Sequence, residues 1–440
     1  MPEFVVPEDA DLAELERRLI DRLGLDEGEE SQIERSWYDT FDWRLHRAGI
    51  RLLAEPRDGR VLLTCLPVMD REGAGVGHLL LSEIPRFPWD LPDSDLRSAI
   101  AGAVEMRALL PRAMVGSASK TLIQRNRDDK TVVRLVIDCP SVMGPHGPQP
   151  LTPRITVLPL RGYGKAAMRA GRFITRKLGL RKSKADELTA ASQALGVPIG
   201  GYSSKLALKL DPTARADLAT KQVCRRLLEI MDANVDGMCL QVDTEFLHDF
   251  RVAVRRTRSA LSRLRGVFPS PTVRRFGREL RWVGQATGPA RDYDVYLLQL
   301  DDLLQLVPEP MRQPLEPLRP WLEAKHVEAH RELVAAVSSP RFHKLMADWR
   351  TFLGAPVPKR SSLPNAQLPL LTVARAEIWR AYRRALRDGG AINASSPTSE
   401  LHDLRKTCKK LRYLLEFFRS LFPAERMGQL IGALKTLQGN

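Results

Sequence analysis

The chain has 440 residues, 43% hydrophobic and 28% charged, with 68 Lys and Arg against 53 Asp and Glu for a net charge of +15. Such a chain reads as soluble and globular and can bury the cores of two to four domains. No apolar run approaches the roughly 18 residues of a membrane span, and the acidic opening MPEFVVPEDADLAELERR has the wrong charge for a signal peptide, so a cytoplasmic protein is expected.

The charge is uneven. Residues 1–160 carry 20 basic and 26 acidic side chains, a net of −6, which leaves +21 on residues 161–440. A field of that sign attracts phosphate polymers, nucleic acids or anionic membranes without choosing among them. Cys65, Cys139, Cys224, Cys239 and Cys408 are odd in number and lack CxxC spacing. Reduced, mostly buried thiols are expected, with no disulfide frame, metal or cofactor.

In chain order, residues 11–25 have helical periodicity, 37–53 read WYDTFDWRLHRAGIRLL, and the turn signal RDGR precedes a strand-like VLLTCL. Further strands are predicted at 78–84, 120–125, 131–138 and 154–159, with a helix at 96–110. This predicts an α+β domain. Tyr38, Asp39, Thr40, Leu45, Gly49 and Leu52, then LPLRGY at 158–163 and Ser183-Lys184, resemble the CYTH, or triphosphate tunnel metalloenzyme, family over about the first 200 residues. The resemblance implies a tunnel-like β-barrel. In that family carboxylates hold Mg²⁺ or Mn²⁺ and Arg/Lys grip a triphosphate. Here the opening E-x-E-x-K positions hold Glu3, Val5 and Pro7, and the alternate arginines are Leu53 and Glu55. Leu66 replaces the T-x-K lysine, Leu81 and Glu83 stand at the next acidic pair, and Arg154 and Thr156 replace late carboxylates. Glu3, Glu83, Arg125 and Arg134 then read as surface or lumen residues, and a tunnel fold without catalytic residues is expected.

Residues 161–184 contain nine basic side chains, Lys184 the last, and no acidic one. As a helix over 165–178 they would align Lys165, Arg169, Arg172 and Arg176, either as a solvated face or as an auxiliary polyanion contact.

From about residue 201 the texture is helical, with helices predicted at 218–231, 244–267, 272–287, 292–306, 321–338 and 342–352, and after the proline-rich connector 356–369 at 371–387, 399–418 and 424–437. LHDFRVAVRRTRSALSRLRGVF at 247–268 recurs as LHDLRKTCKKLRYLLEFFRSLF at 401–422, an internal repeat of offset 154. His248, Arg251, Arg255, Arg256 and Arg258 match His402, Arg405, Lys409, Lys410 and Arg412 without a gap. On a helix His248, Arg251, Arg255 and Arg258 form a cationic ridge, with Phe250, Ala253, Val254, Leu261 and Leu264 on the opposite arc. Lys221 and Arg375, Arg226 and Arg380, and Arg281 and Lys435 keep the same offset. The first two pairs are candidates for a second basic row facing the same channel, and plain surface exposure is the alternative for all three pairs.

The duplicated H-x-x-R-x-x-x-[RK]-[RK]-x-R pattern, with LRWVGQATGPARDYDV after the first copy, is similar to the conserved histidine α-helical domain, CHAD, over residues 205–440. That resemblance implies two pseudo-symmetric four-helix bundles, at about 205–355 and 370–440, and a basic channel that binds inorganic polyphosphate. The second copy stops at LKTLQGN, which aligns with LRWVGQA, so it is expected to be shortened relative to the family. Cations three or four residues apart suit such a polymer, because arginines at that spacing can clamp its phosphates. Two other functions stay open: a metal-dependent triphosphatase or polyphosphatase fed by the helical domain, and nucleic-acid binding, for which no helix-turn-helix, RRM-type motif or aromatic row is found. The leading expectation is a non-enzymatic polyphosphate binder, associated with polyphosphate granules.

Overall fold

The structure, a computed structural model, describes residues 2–7, 9–68, 77–183, 185–393 and 395–439, the side chains of 438 and 439 excepted. Lys184 of the basic segment lies outside them. The chain divides into two compact units, Met1–Tyr202 and Ser203–Asn440.

The first unit is an antiparallel sheet with helices. Its strands are β1 (Glu3–Val5), β2 (Leu25–Asp39), β3 (Ile50–Arg57), β4 (Arg60–Pro67), β5 (His78–Leu81), β6 (Leu110–Arg125), β7 (Thr131–Gly144), β8 (Gly147–Pro150), β9 (Arg154–Pro159) and β10 (Arg181–Lys182). They pair in the order β10-β1-β9-β7-β6-β2-β3-β4-β5, with β8 added beside β7. Among the described residues the path is open between β10 and β5, so the expected barrel is an unclosed sheet. Alternation shapes it: along β6, Ala113, Val115, Ser117 and Ser119 point inward while Met114, Gly116 and Ala118 are exposed. The helices are α1 (Leu12–Leu23), α2 (Arg44–Arg47), α3 (Asp95–Val104), α4 (Gly164–Lys177) and α5 (Glu187–Ala194). α1 and α4 bury Leu19 and Ile174 with Phe4, Leu135 and Ile155, and α3 buries Ile100 and Val104 with Leu52 and Leu63. α5 packs Leu188 and Ala191 against Trp37 and Val142. The helix predicted at 96–110 ends at Val104, because Leu110 opens the long strand β6 on which β2 and β7 both pair.

The second unit is helical: α6 (Ala216–Cys239), α7 (Thr244–Arg263), α8 (Ser270–Ala286), α9 (Gly288–Gln305), α10 (Leu318–Val337), α11 (Pro340–Gly354), α12 (Leu370–Gly390), α13 (Thr398–Phe417) and α14 (Ala424–Gly439). Among the described residues no helix is long and apolar enough to cross a membrane. The repeat is physical as well as sequential. α12, α13 and α14 each begin 154 residues after α6, α7 and α8, and α13 also ends 154 residues after α7. The two copies meet through backbone. Arg215 and Pro369, themselves 154 apart, form an antiparallel bridge. Around it Ala216 N–H donates to Leu368 O (3.0 Å) and Leu370 N–H to Ala214 O (2.8 Å). Further out, Asp217 N–H donates to Ala366 O (3.0 Å) and Leu371 N–H to Pro212 O (3.1 Å). Each bond is the repeat mate of another, so a local twofold axis passes through the bridge.

α7 starts where the Asp243 carboxylate accepts from Glu245 N–H and Phe246 N–H, and it buries Phe246, Phe250, Ala253, Val254 and Leu261. α6 meets it at Gly237. A Cβ there would lie 2.2–2.5 Å from three ring atoms of the buried Phe246, so only glycine lets the helices approach this closely. Gly237→Ala should cost about 1–3 kcal/mol through overpacking, despite alanine's better helix propensity. Urea denaturation reads this directly, and an unchanged or raised midpoint would contradict the packing.

Candidate functional site: a basic groove between the repeats

A groove of about 860 Å³ lies between α7, α8 and α13. α7 contributes Arg255 and Arg258, α8 contributes Arg274, Arg278 and Arg281, and α13 contributes Lys406, Lys409 and Lys410. Ser259, Ser262 and Tyr413 supply hydroxyls, and no carboxylate lines the wall. Arg278 pairs with Glu279 and Lys406 with Asp403, both acids outside the wall. The other six cations form no ion pair among the described residues, although Lys410 feels the charge of Asp403.

The crowding shows in their acidities. Burial, then the charges of Arg405, Arg255 and Arg412, push the Lys409 ammonium below its ordinary range. Burial, then Arg263 and Arg384, do the same to Lys410, and burial with Arg281 lowers Arg258. Arg255 and Lys409 are repeat mates, so the local twofold brings equivalent cations within range of each other. An anion in this groove would relieve the repulsion.

The remaining predicted residues have other neighbours. Arg251 donates to Gly284 O and Thr287 Oγ1, both at 2.8 Å, and ties α7 to the end of α8. His248 lies 3.2 Å from Arg291 Nη2 through Nδ1. Since arginine only donates, that nitrogen accepts. Arg256 pairs with Glu416 at 2.6 Å and Arg412 with the same carboxylate at 2.7 Å, so one acid of α13 bridges both copies. Lys221 is buried and donates to Phe352 O and Ala355 O, both at 2.6 Å, at the carboxyl end of α11. Arg226 bonds Ser203 O and Glu229, and Arg380 pairs with Glu377. His402, Arg405, Arg375 and Lys435 are exposed, and Arg405 reaches the groove only through its field on Lys409. The structure therefore brings Arg255, Arg258, Arg281, Lys409 and Lys410 to one groove and leaves the second basic row elsewhere. Arg274, Arg278 and Lys406 escaped the repeat comparison because their mates are Gly428, Gly432 and Val252. The step of four and three along Arg274, Arg278 and Arg281 was the available signal.

The sheet unit treats charge differently. Arg35 of β2 lies between Asp138 of β7 at 2.6 Å and Glu187 of α5 at 2.9 Å. Asp138 also accepts from the Ser117 and Ser119 hydroxyls, and Glu187 accepts from Trp37 Nε1 at 2.8 Å. Arg154, buried on β9, pairs with Glu3 of β1 at 2.9 Å. Arg125 pairs with Asp129, while Glu83 and Arg134 are exposed. Burial opposes the Asp138 charge, but Arg35 and the two hydroxyls outweigh it and hold the carboxyl below its usual range. At Glu187 burial prevails and the carboxyl is raised despite Arg35. Cys65, Cys224 and Cys408 are buried, Cys239 is half-buried and Cys139 is exposed, all as free thiols.

Residues 222–440 match the family model of the CHAD domain. Among solved structures, the CHAD domain from the plant Ricinus communis is 25% identical over 54% of this chain and 77% of that one, with a TM-score of 0.47. PptA from Streptomyces chartreusis is 18% identical over 50% of this chain and 81% of that one, with a TM-score of 0.39. No curated protein matches the chain.

The Arg35 cluster has a measurable consequence. Because the folded Asp138 carboxyl is held down, its stabilisation is present above the ordinary carboxylate range and lost as pH falls through the folded value. Arg35→Met reverses the sign, since two buried carboxylates without their cation are discharged by acid. The variant should lose about 3–5 kcal/mol at neutral pH and recover part of it near pH 5. Urea melts at both pH values give the comparison, and a deficit that does not shrink on acidification would sink this account.

Proposed function

Taking residues 222–440 as a CHAD domain, we propose that this protein binds inorganic polyphosphate in the groove between α7, α8 and α13. The observation that carries the reading is the wall itself: eight Lys and Arg from both repeats, with no carboxylate among them. A linear polyanion satisfies more of these cations at once than a single phosphate can. Arg274, Arg278 and Arg281 stand three or four residues apart, about 5–6 Å between Cβ atoms, and guanidinium forks suit phosphate oxygens. Tyr413 is the one aromatic side chain on the wall, which gives little for stacking bases and favours phosphate polymer over nucleic acid. The protein acts by binding, in the cytoplasm and at polyphosphate granules, and the sheet unit supplies no catalysis. Its acids support that part of the proposal, since Asp138 and Glu187 share Arg35 and Glu3 is taken by Arg154.

Affinity should fall steeply with salt, because each neutralised phosphate releases counterions. About six to eight contacts predict a loss of roughly a thousandfold or more between about 50 and 200 mM salt. Arg274→Glu with Arg278→Glu should weaken binding at least tenfold and flatten the salt slope by about two. Arg255→Glu with Lys409→Glu should cut long-chain affinity more than short-chain affinity, because only a long chain engages both repeats. Calorimetric titration with short and long polyphosphate measures both effects, with circular dichroism as the fold control. Absence of binding at low salt, or stronger binding of DNA of matched charge, would refute the proposal; phosphate release dependent on Mg²⁺ or Mn²⁺ would restore the triphosphatase reading.

A further inference from the structure

A cavity of about 450 Å³ opens on the sheet unit between α4 and the edge strands β1 and β10. Its volume lies in the range of small-molecule sites. The alternation of β1 builds it. Glu3 and Val5 face Thr156 and Arg154, and Arg154 neutralises Glu3 there. Phe4 points the other way, opposite Ile155 on β9 and Lys182 on β10, and its buried ring lines the cavity floor. α4 lays Ala167 and Gly171 over that ring, with Met168, 57% exposed, beside them. A Cβ on Gly171 would stand 3.5 Å from Phe4 Cζ, so the glycine leaves room for hydrocarbon above the ring.

Three cations border this apolar floor: Arg172 and Arg176 of α4 and Lys182 of β10. No carboxylate lines the cavity, and none of the three is in an ion pair among the described residues. The basic row of α4 is thereby divided, since Lys165 and Arg169 are exposed outside the cavity. Exposed cations alone hold an anion weakly, and an apolar floor alone does not choose its occupant. Together they specify one, with hydrocarbon for the floor and an anionic group for the rim. Arg172 and Arg176 stand one turn apart, about 5–6 Å between Cβ atoms, and Lys182 adds a third charge from the adjoining strand. A phosphate monoester, with about 1.5 to 2 negative charges near neutral pH, engages more of them than a carboxylate does. Its oxygens also suit guanidinium forks.

We propose that this cavity binds a single-chain phosphate monoester, its hydrocarbon on Phe4, Ala167 and Gly171 and its phosphate held by Arg172, Arg176 and Lys182. The site lies wholly in the sheet unit and stands whether or not the groove of the helical unit takes polyphosphate. The ligand enters as a monomer rather than as part of a bilayer, since the Phe4 ring is recessed, 1% exposed, and a flat lipid surface does not reach it.

Isothermal titration of the full chain with octyl and decyl phosphate tests the site, below the concentrations at which they form micelles and in about 150 mM salt, where exposed charges are screened. Decyl phosphate should bind once per chain and about tenfold tighter than octyl phosphate, since each methylene taken from water is worth about fourfold. Decyl maltoside, with the same chain and no charge, should bind about tenfold more weakly, and decanoate more weakly too. Gly171→Leu, which fills the space over Phe4, should weaken decyl phosphate binding about tenfold, and Arg172→Glu with Arg176→Glu about as much. Those two arginines are exposed, so their variant should keep the circular dichroism of the parent even where leucine disturbs α4. Met143→Asp, at an apolar hollow of the same unit whose one cation is Arg112, should leave binding unchanged. Arg274→Glu with Arg278→Glu, in the helical unit, should also leave it unchanged. No saturable binding up to about 1 mM overturns the proposal, as does binding indifferent to chain length or to the Arg172 and Arg176 variant. Decanoate bound as tightly as decyl phosphate would overturn the phosphate assignment. Tighter binding to phosphatidic acid vesicles than to monomeric decyl phosphate would assign the cations to a membrane surface and overturn the proposal as well.

Discussion

The helical unit depends on a few backbone hydrogen bonds between residues 212–217 and 366–371. They are reciprocal under the 154-residue offset, so they define a twofold relation without asking the side chains of the two copies to match. That freedom matters, because the copies differ at many positions. With the bridge in place α7 and α13 pack together, and Glu416 joins Arg256 of one copy to Arg412 of the other. Arg255 and Lys409, repeat mates, are then brought within electrostatic range although each repels the other. The apolar arc of α7, with Phe250, Val254 and Leu261 buried, sustains that repulsion.

Both units collect charge on concave or buried surfaces, and they resolve it in opposite ways. In the sheet unit the guanidiniums of the central cluster have their carboxylates, as half-buried Arg35 has Asp138 and Glu187 and buried Arg154 has Glu3. Such a cluster is closed to a ligand, because an incoming anion would have to displace an ion pair already desolvated. In the groove the nearest acids lie off the wall, and Lys409, Lys410 and Arg258 hold their protons less tightly than in water. A low-dielectric wall of one sign focuses its field outward. The difference lies in where the carboxylates fall, since the chain has enough of them for both units.

The α-helical half was legible because it is written twice: identity at a fixed offset, on a 3.6-residue period, gave α7 and α13 to within four residues, while α6 runs eight residues past its predicted end. Five of the eight groove cations were legible for the same reason. Arg274 and Arg278 were not, since Gly428 and Gly432 break the comparison that found the rest. Lys221 and Arg226 were drawn into the site by offset alone, because periodicity gives a side chain's face on its own helix and not the helix that later covers it. In the sheet unit β2 was obscured by its run of Asp and Glu, which reads as solvent-seeking. It is a strand because it pairs along most of β6, with Gly28 at a break in register where a Cβ would meet Thr121 O at 2.8 Å. Glu187 was invisible as a partner of Arg35, 152 residues away in sequence and joined to it only by the packing of α5. The resemblance to the tunnel family implied a barrel, but closure depends on which edges pair, and among the described residues β10 and β5 leave theirs open.

Lys221 and Arg375 show how far a repeat can be trusted. They occupy the same step of the same helix, and a comparison of sequences treats them as one feature. In the first copy the cation is consumed by the carbonyls that end α11, a role that needs a compact donor and burial more than net charge. In the second copy the residue is the wider guanidinium of Arg375, exposed and without a side-chain partner among the described residues. The neighbours differ as well: Arg225 and Asp232, which hold α11 by polar contacts, are matched by the exposed Trp379 and Leu386, and the Trp379 ring meets only Tyr382 and Arg383 of its own helix among the ring contacts of the described residues.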